Sequence, residues 1–240
     1  MFLVVGEASG DRLGASLMQG IKKLTKKVEF KGIFGPEMET GGLKSLFEMS
    51  ELSVMGVTEI LPKYSKLRRR LSQTVEAVLE YKPDLLITID SPEFCLRVAK
   101  KVRAANLNIR TIHYVAPTVW AWRPKRAKKM AHFIDHVLAL FPFEPPYMEA
   151  EGMDCDFVGH PIAAMGPIAP KKISSFQKKY KIDPVQPSLV ILPGSRLSEV
   201  QRLLPIFCNV LRRNEFSNFQ LIFPTLPHLR EYIANVISDL

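Results

Sequence analysis

The strongest constraint on this chain is the run Leu85-Leu86-Ile87-Thr88-Ile89-Asp90-Ser91-Pro92-Glu93-Phe94. A short continuous apolar run is the pattern of a strand buried on both faces, as in parallel sheets. Directly after it, Cys95, Val98, Ala99 and Val102 recur at helical spacing, with Arg97, Lys100, Lys101 and Arg103 between them. Pro92 disfavours helical geometry at Ser91 and suits the first turn of the helix that follows. A strand therefore hands over directly to a helix, the unit from which α/β folds are built. Two carboxylates, Asp90 and Glu93, sit at the handover. Ligands of open α/β sheets bind outside the carboxyl ends of the strands, so either is a candidate general base if it reaches a substrate proton. The same residues also read as a cap, with Asp90 at the helix start and Glu93 completing a capping box. The two roles can coexist.

The pattern recurs along the chain. Phe2–Val5 reads as a strand, Gly6-Glu7-Ala8-Ser9-Gly10-Asp11 as a glycine-bearing turn, and Leu13, Leu17, Ile21 and Leu24 as a helix stripe. Such a turn can hold a phosphate at a helix N-terminus, or be a tight turn that needs small residues. It is neither GxGxxG nor a P-loop. Further strands are expected at 28–33, 52–57, 109–114, 137–141 and 157–158. A helix after Ile60-Leu61-Pro62 places Tyr64, Leu67, Leu71, Val75 and Val78 on one face, with Lys63, Lys66, Arg68, Arg69 and Arg70 beside them. That face suits either an interfacial membrane contact or a core. His113, at a strand end, is a binding or catalytic candidate or a hydrogen-bonded structural residue. Trp120 and Trp122, next to Arg123, Lys125 and Arg126, form an interface signature, and an indole there can wall an acyl or sugar pocket.

The prolines at 167, 170, 184 and 187 mark a linker over 166–187, between a first domain at 1–165 and a second beginning at 188. That second domain opens with a strand, the turn Pro193-Gly194-Ser195-Arg196 and a helix. A helix N-terminus with an arginine suits a diphosphate, though Ser195 or Ser198 also reads as an N-cap. The net charge of +9 favours anionic partners. No nucleic-acid motif is present, which leaves phosphorylated small molecules and anionic membrane. Three scattered cysteines lack metal spacing and fit a reduced compartment. No apolar run reaches the ~20 residues of a membrane span, and no secretory signal is expected at the start.

Taken together, Gly6–Asp11, Val54-Met55-Gly56, Ile89–Phe94, His113–Arg123, Phe141-Pro142-Phe143-Glu144, Gly159-His160-Pro161 and Leu192–Arg196 resemble the lipid-A-disaccharide synthase family. The resemblance implies a GT-B-like α/β architecture: a Rossmann-like N-terminal domain with a parallel sheet and, over 188–240, an incomplete second Rossmann-like domain. It implies inverting transfer of 2,3-diacylglucosamine from its UDP conjugate to the 6-hydroxyl of 2,3-diacylglucosamine 1-phosphate. No metal or cofactor is implied. Glu93 matches the family's catalytic aspartate, with Asp90 as second choice or orienter. Glu7, Ser9, Gly10, His113, Trp120, Gly194, Ser195 and Arg196 become substrate-binding candidates. Ile60, Leu61, Leu67, Arg69 and Leu71 become the membrane contact, on the inner face of the cytoplasmic membrane, and a second copy of the chain is a candidate partner. Glu93 replaces the family's aspartate and Cys95 its asparagine. The family is much longer, so the 240 residues alone are expected to release no UDP. The alternative is an inactive remnant that binds acylated sugar phosphate or the membrane surface.

Overall fold

The computed structural model describes residues 1–40, 42–52 and 57–238; the side chains of 57–63, 164 and 214 fall outside that description. The chain divides into two compact units, residues 1–165 and 166–240. The first unit runs β1 (Phe2–Val5), α1 (Ala8–Leu24), β2 (Lys31–Ile33), α2 (Pro36–Glu39), α3 (Val57–Tyr81), β3 (Leu85–Ile89), α4 (Pro92–Ala105), β4 (Arg110–Tyr114), α5 (Lys125–Met130), β5 (His136–Ala139), α6 (Pro145–Glu149) and β6 (Asp154–Phe157). Among the described residues its sheet has six strands, all parallel, in the order β2-β1-β3-β4-β5-β6.

The continuous apolar runs follow from burial of both sheet faces. In β1, Phe2 and Val4 enter one core with Val78, Val98, Val102 and Met130, from α3, α4 and α5. Leu3 and Val5 enter the other, with Leu13, Met18 and Met38 from α1 and α2. This is the two-residue alternation of a strand sandwiched between helical layers. The register pairs Val5 with Ile89 and Ile89 with Tyr114. The turns after β1 and β3 therefore leave the sheet side by side.

Several boundaries differ from expectation. Helix α1 begins at Ala8, so Ser9, Gly10 and Asp11 lie in its first turn and not in a loop. The strand expected at 52–57 is not assessed over 53–56, which lie outside the described residues together with the Val54-Met55-Gly56 motif; Val57 is already helical. The last strand of the sheet is Asp154–Phe157, three residues earlier than read. An edge strand with carboxylates at 154 and 156 carries little of the apolar signal on which strand recognition depends.

Helix α3 bears on the membrane reading. Leu67 and Leu71 are half-buried against the first core, so they face inward. Arg69 is exposed, while the side chains of Ile60 and Leu61 lie outside the described residues. Among the described residues no helix is long and apolar enough to cross a membrane.

Glu51 fastens α3 to the segment before it. Its carboxylate accepts from Arg70 Nε and Nη2, both at 2.7 Å, and Lys66 Nζ lies 3.2 Å away. The hydrogen bond from Arg70 holds the Glu51 carboxyl down to about 2, below the ordinary 4.5. A carboxyl depressed on folding stabilises the fold above its unfolded pKa, and that contribution is lost as pH falls through the folded value. Wild-type protein is therefore expected to lose about 1–2 kcal/mol between pH 5 and pH 2 that Glu51→Gln does not lose, after allowance for solvent screening. Urea titrations of both proteins across that range check it; parallel curves would remove Glu51 from the account.

The second unit contains α7 (Pro170–Tyr180), β7 (Ser188–Val190), α8 (Leu197–Leu211), β8 (Gln220–Ile222) and α9 (Arg230–Val236). The stretch read as a linker carries α7 and goes with this unit. Its two strands are parallel, and Val200, Leu204, Cys208, Leu229 and Ile233 form its core.

Candidate active site

In the first unit the chain moves from β1 to β2 on one side and to β3 on the other. The gap between the carboxyl ends of β1 and β3 is thus a topological switch point, where open α/β sheets place ligands. Helices α1 and α4 both present their N-termini there. The two turns touch. A Cβ on Gly6 would lie 2.7 Å from Ser91 Oγ, so position 6 has no room for a side chain. Gly10 packs tightly as well, its added Cβ 3.1 Å from the Ile89 carbonyl oxygen.

Asp90 and Ser91 are consecutive left-handed residues, with φ of 54° and 43°. Non-glycine residues adopt this conformation at a cost of about 1–3 kcal/mol each, and only where the surroundings impose it. Here Asp90 N–H donates to the Tyr114 carbonyl at 2.9 Å, and Asp90 Oδ1 accepts from Ser91 N–H at 2.8 Å. Ser9 Oγ donates to Asp90 Oδ2 at 2.7 Å, joining the two turns. The capping reading is corrected accordingly. Ser91 precedes α4 with no side-chain cap, Asp90 bonds its own turn, and Glu93 points elsewhere. Pro92 does move Ser91 out of right-handed helical geometry, but into the left-handed region.

Glu93 projects from the first turn of α4 with its side chain 64% exposed. Its Oε1 accepts from Arg123 Nη1 at 3.0 Å and, more closely, from Arg126 Nη2. Arg97 Nη2 lies 3.9 Å from Oε2. Arg123 has φ of 54° and its guanidinium sits 4.1 Å from the Trp122 ring, a cation–π contact. Two nearby features complete this edge. Trp120 meets Phe143 edge-on at 5.3 Å, and Phe143 stacks on Phe141 at 5.6 Å. Beside Trp120 a cleft of about 490 Å³ is lined by Val119, Pro124, Ala127 and Tyr147.

The remaining candidates divide. Glu7 is the residue preceding α1 and is half-buried. His113 is wholly buried, its Nδ1 2.8 Å from Thr88 Oγ1, so it lies behind the surface and not on it. Burial pushes its pKa down to about 4, against the opposing pull of Asp90. In the second unit, Gly194 has φ of 130°, and a Cβ there would meet Glu199 Cβ at 2.7 Å. The Ser195 and Arg196 N–H groups donate to Glu199 Oε2 at 3.0 and 3.3 Å, and Arg196 Nη1 donates to Glu199 Oε1 at 2.8 Å. Burial opposes the charge on Glu199, yet the Arg196 side chain and the Ser195 amide hold its carboxyl below the usual range. The residue before α8 is Arg196, so neither Ser195 nor Ser198 is the N-cap.

Sequence reasoning missed four residues. Asp11, nearly inaccessible, accepts from Gly35, Glu37 and Met38 N–H at 3.0, 2.8 and 3.1 Å and so ties α1 to α2. Glu144, also buried, accepts from Leu140 and Phe141 N–H, both at 3.0 Å, which explains the glutamate in Phe141–Glu144. Arg123 and Arg126 stand out in sequence only as part of a basic cluster, because their carboxylate partner lies 30 or more positions away. Among the described residues no group of three His, Cys, Asp or Glu is placed to hold a metal.

The fold has known relatives in solved structures. The UDP-GlcNAc 2-epimerase from Neisseria meningitidis, bound to UDP-GlcNAc, superposes with TM-score 0.64 at 9% identity, over 99% of this chain and 68% of that one. The S. aureus MnaA–UDP structure gives 0.66 at 13%, over 100% and 66%. At such identities the likeness is one of fold, and that fold is α/β of the GT-B class. The family follows from sequence. A family model described as lipid-A-disaccharide synthetase matches residues 1–238. The lipid-A-disaccharide synthase of Ruegeria pomeroyi is 51% identical over 241 residues, and that of Rhodospirillum centenum 47% over 242. This chain therefore belongs to the lipid-A-disaccharide synthase family. Each alignment covers 100% of the chain and 60% of the relative, so the chain spans about three-fifths of the length of these relatives.

Proposed function

We propose that this chain contributes the acceptor side of a lipid A glycosyltransferase, which moves 2,3-diacylglucosamine from UDP to the 6-hydroxyl of 2,3-diacylglucosamine 1-phosphate. The observation that carries the reading is the pair of carboxylates, Asp90 and Glu93, at the handover from β3 to α4 in a chain of this family. Glu93 is the more exposed of the two and serves as the base. It takes the hydroxyl proton as the oxygen attacks the anomeric carbon, the bond to the UDP oxygen breaks, and the configuration inverts. Asp90, held by Ser9 and its own turn, orients the acceptor. Within the second unit, the Gly194-Ser195-Arg196 turn is the candidate contact for a diphosphate, with Glu199 the anion that its donors now hold. Both substrates carry acyl chains, so the reading puts the work at a membrane, which the family resemblance implies is the inner face of the cytoplasmic membrane. The net charge of +9 and the exposed Trp120 and Trp122 support that contact.

The test is a chimera in which residues 1–238 replace the matching segment of the Ruegeria pomeroyi relative. Purified chimera given both substrates is expected to release UDP and form the disaccharide 1-phosphate. A folded chimera that forms no product overturns the reading.

A further inference from the structure

We propose that Arg123 and Arg126 form a receptor for a phosphate monoester, and that Glu93 fills it as a built-in anion until the phosphate displaces it. The inference rests on the glycosyltransferase reading, whose acceptor carries such a phosphate, but it assigns a site that the reading leaves open. Two guanidinium groups share one oxygen of Glu93, and a third lies 3.9 Å from the other oxygen. One carboxylate brings a single negative charge to three positive ones. A phosphate monoester brings nearly two charges and three acceptor oxygens, and suits paired forked donors better.

The donors are set in advance. Arg123 is held by a left-handed backbone and by Trp122, and Arg126 is only 16% exposed on its short helix. The occupant, by contrast, is an exposed glutamate on a flexible stem, whose ion pairs water readily replaces. Displacement also resolves a conflict within the site. A carboxylate that accepts from two guanidinium groups through Oε1 is turned toward them, whereas a base must face the hydroxyl whose proton it takes. An arriving phosphate takes the arginines and frees Glu93 beside the acceptor hydroxyl. The ligand's other half has a place as well. Pro124 and Ala127, next in sequence to Arg123 and Arg126, line the largely apolar cleft beside Trp120, whose charged lining residue is Glu151. An anionic head next to an apolar slot matches an acylated sugar phosphate, whether it comes as a dispersed molecule or in a lipid surface.

The experiment uses the 240-residue chain. Calorimetric titration with glucosamine 1-phosphate gives the soluble arm. Sedimentation with phosphatidylcholine vesicles, with and without phosphatidic acid, gives the lipid arm. Glu93→Gln is expected to tighten binding about tenfold in at least one arm, since an internal competitor present nine-tenths of the time lowers apparent affinity by that factor. Glu76→Gln, on an exposed position of α3, controls for net charge and is expected to change binding less than twofold. Arg123→Ala combined with Arg126→Ala is expected to abolish the response, with circular dichroism confirming the fold. Tightening in the soluble arm identifies a free sugar phosphate as sufficient; tightening with vesicles alone identifies a phosphate presented by lipid. Unchanged or weaker binding by Glu93→Gln in both arms overturns the proposal, as does full binding by the double arginine variant. The readout is binding and not transfer, so failure here leaves the chimera result standing, and the reverse holds.

Discussion

Glutamine at position 93 of the chimera is expected to lower the turnover number by about 10²–10⁴-fold, the usual contribution of a positioned base. The amide matches the carboxylate in size and cannot accept the hydroxyl proton. It also gives up the ion pairs with Arg123 and Arg126, so the acceptor KM should fall or stay level while kcat collapses. That split separates a base from a residue that only binds, whose loss raises KM. Glu93→Asp should keep activity to within about 100-fold, because shortening the stem moves the carboxylate by roughly an ångström and leaves its chemistry intact. Initial rates of UDP release at several acceptor concentrations decide the matter. A Glu93→Gln chimera that retains most of its turnover hands the role to Asp90.

Removing the Asp11 carboxylate should be the most damaging single change to the first unit. Asp11→Ala leaves the Gly35, Glu37 and Met38 amides without their acceptor, two of those hydrogen bonds lying in buried surroundings. Each unsatisfied buried donor costs about 1–3 kcal/mol. A total of about 3–5 kcal/mol is expected, a large part of the 5–15 kcal/mol typical of a folded domain. Gly35→Ala attacks the same joint from the other side, because its Cβ would sit 2.4 Å from the Asp11 carboxylate. Urea midpoints should fall for both variants. A loss below about 1 kcal/mol for Asp11→Ala would mean that water takes over the three amides.

The apolar runs carried most of the fold. Phe2–Val5 and Leu85–Ile89 are strands because every position is wanted on one helical layer or the other. Long helices with a clear stripe, such as α1 and α4, were equally legible. The edge strand Asp154–Phe157 was not, because an edge pairs through its backbone and leaves its side chains free to be polar. In the site, proximity along the chain was visible and proximity in space was not. Asp90 and Glu93 could be placed at a strand end from their own neighbours. Their partners could not: Ser9 reaches Asp90 across 81 positions, and Arg123 and Arg126 reach Glu93 across 30 and 33. Nor does sequence show that Gly10 packs closely against β3 and that Asp11 anchors α2, since both partners are distant along the chain.

Each unit buries one thiol, the chain's third, Cys155, being only half-buried. Cys95 lies under the crevice, its Sγ 3.6 Å from the Val4 carbonyl, and burial pushes its ionisation far up. Cys208 lies in the five-residue core of the second unit. A thiol reacts as thiolate, so neither meets an alkylating reagent until its surroundings open. The pair amounts to two clocks on one chain. Mass-resolved alkylation should run faster at Cys208, whose unit rests on a two-stranded sheet, than at Cys95 beneath a six-stranded one. A ligand seated at the β1/β3 edge should slow only the second of these reactions, which turns a sulfur with no part in the chemistry into a gauge of occupancy.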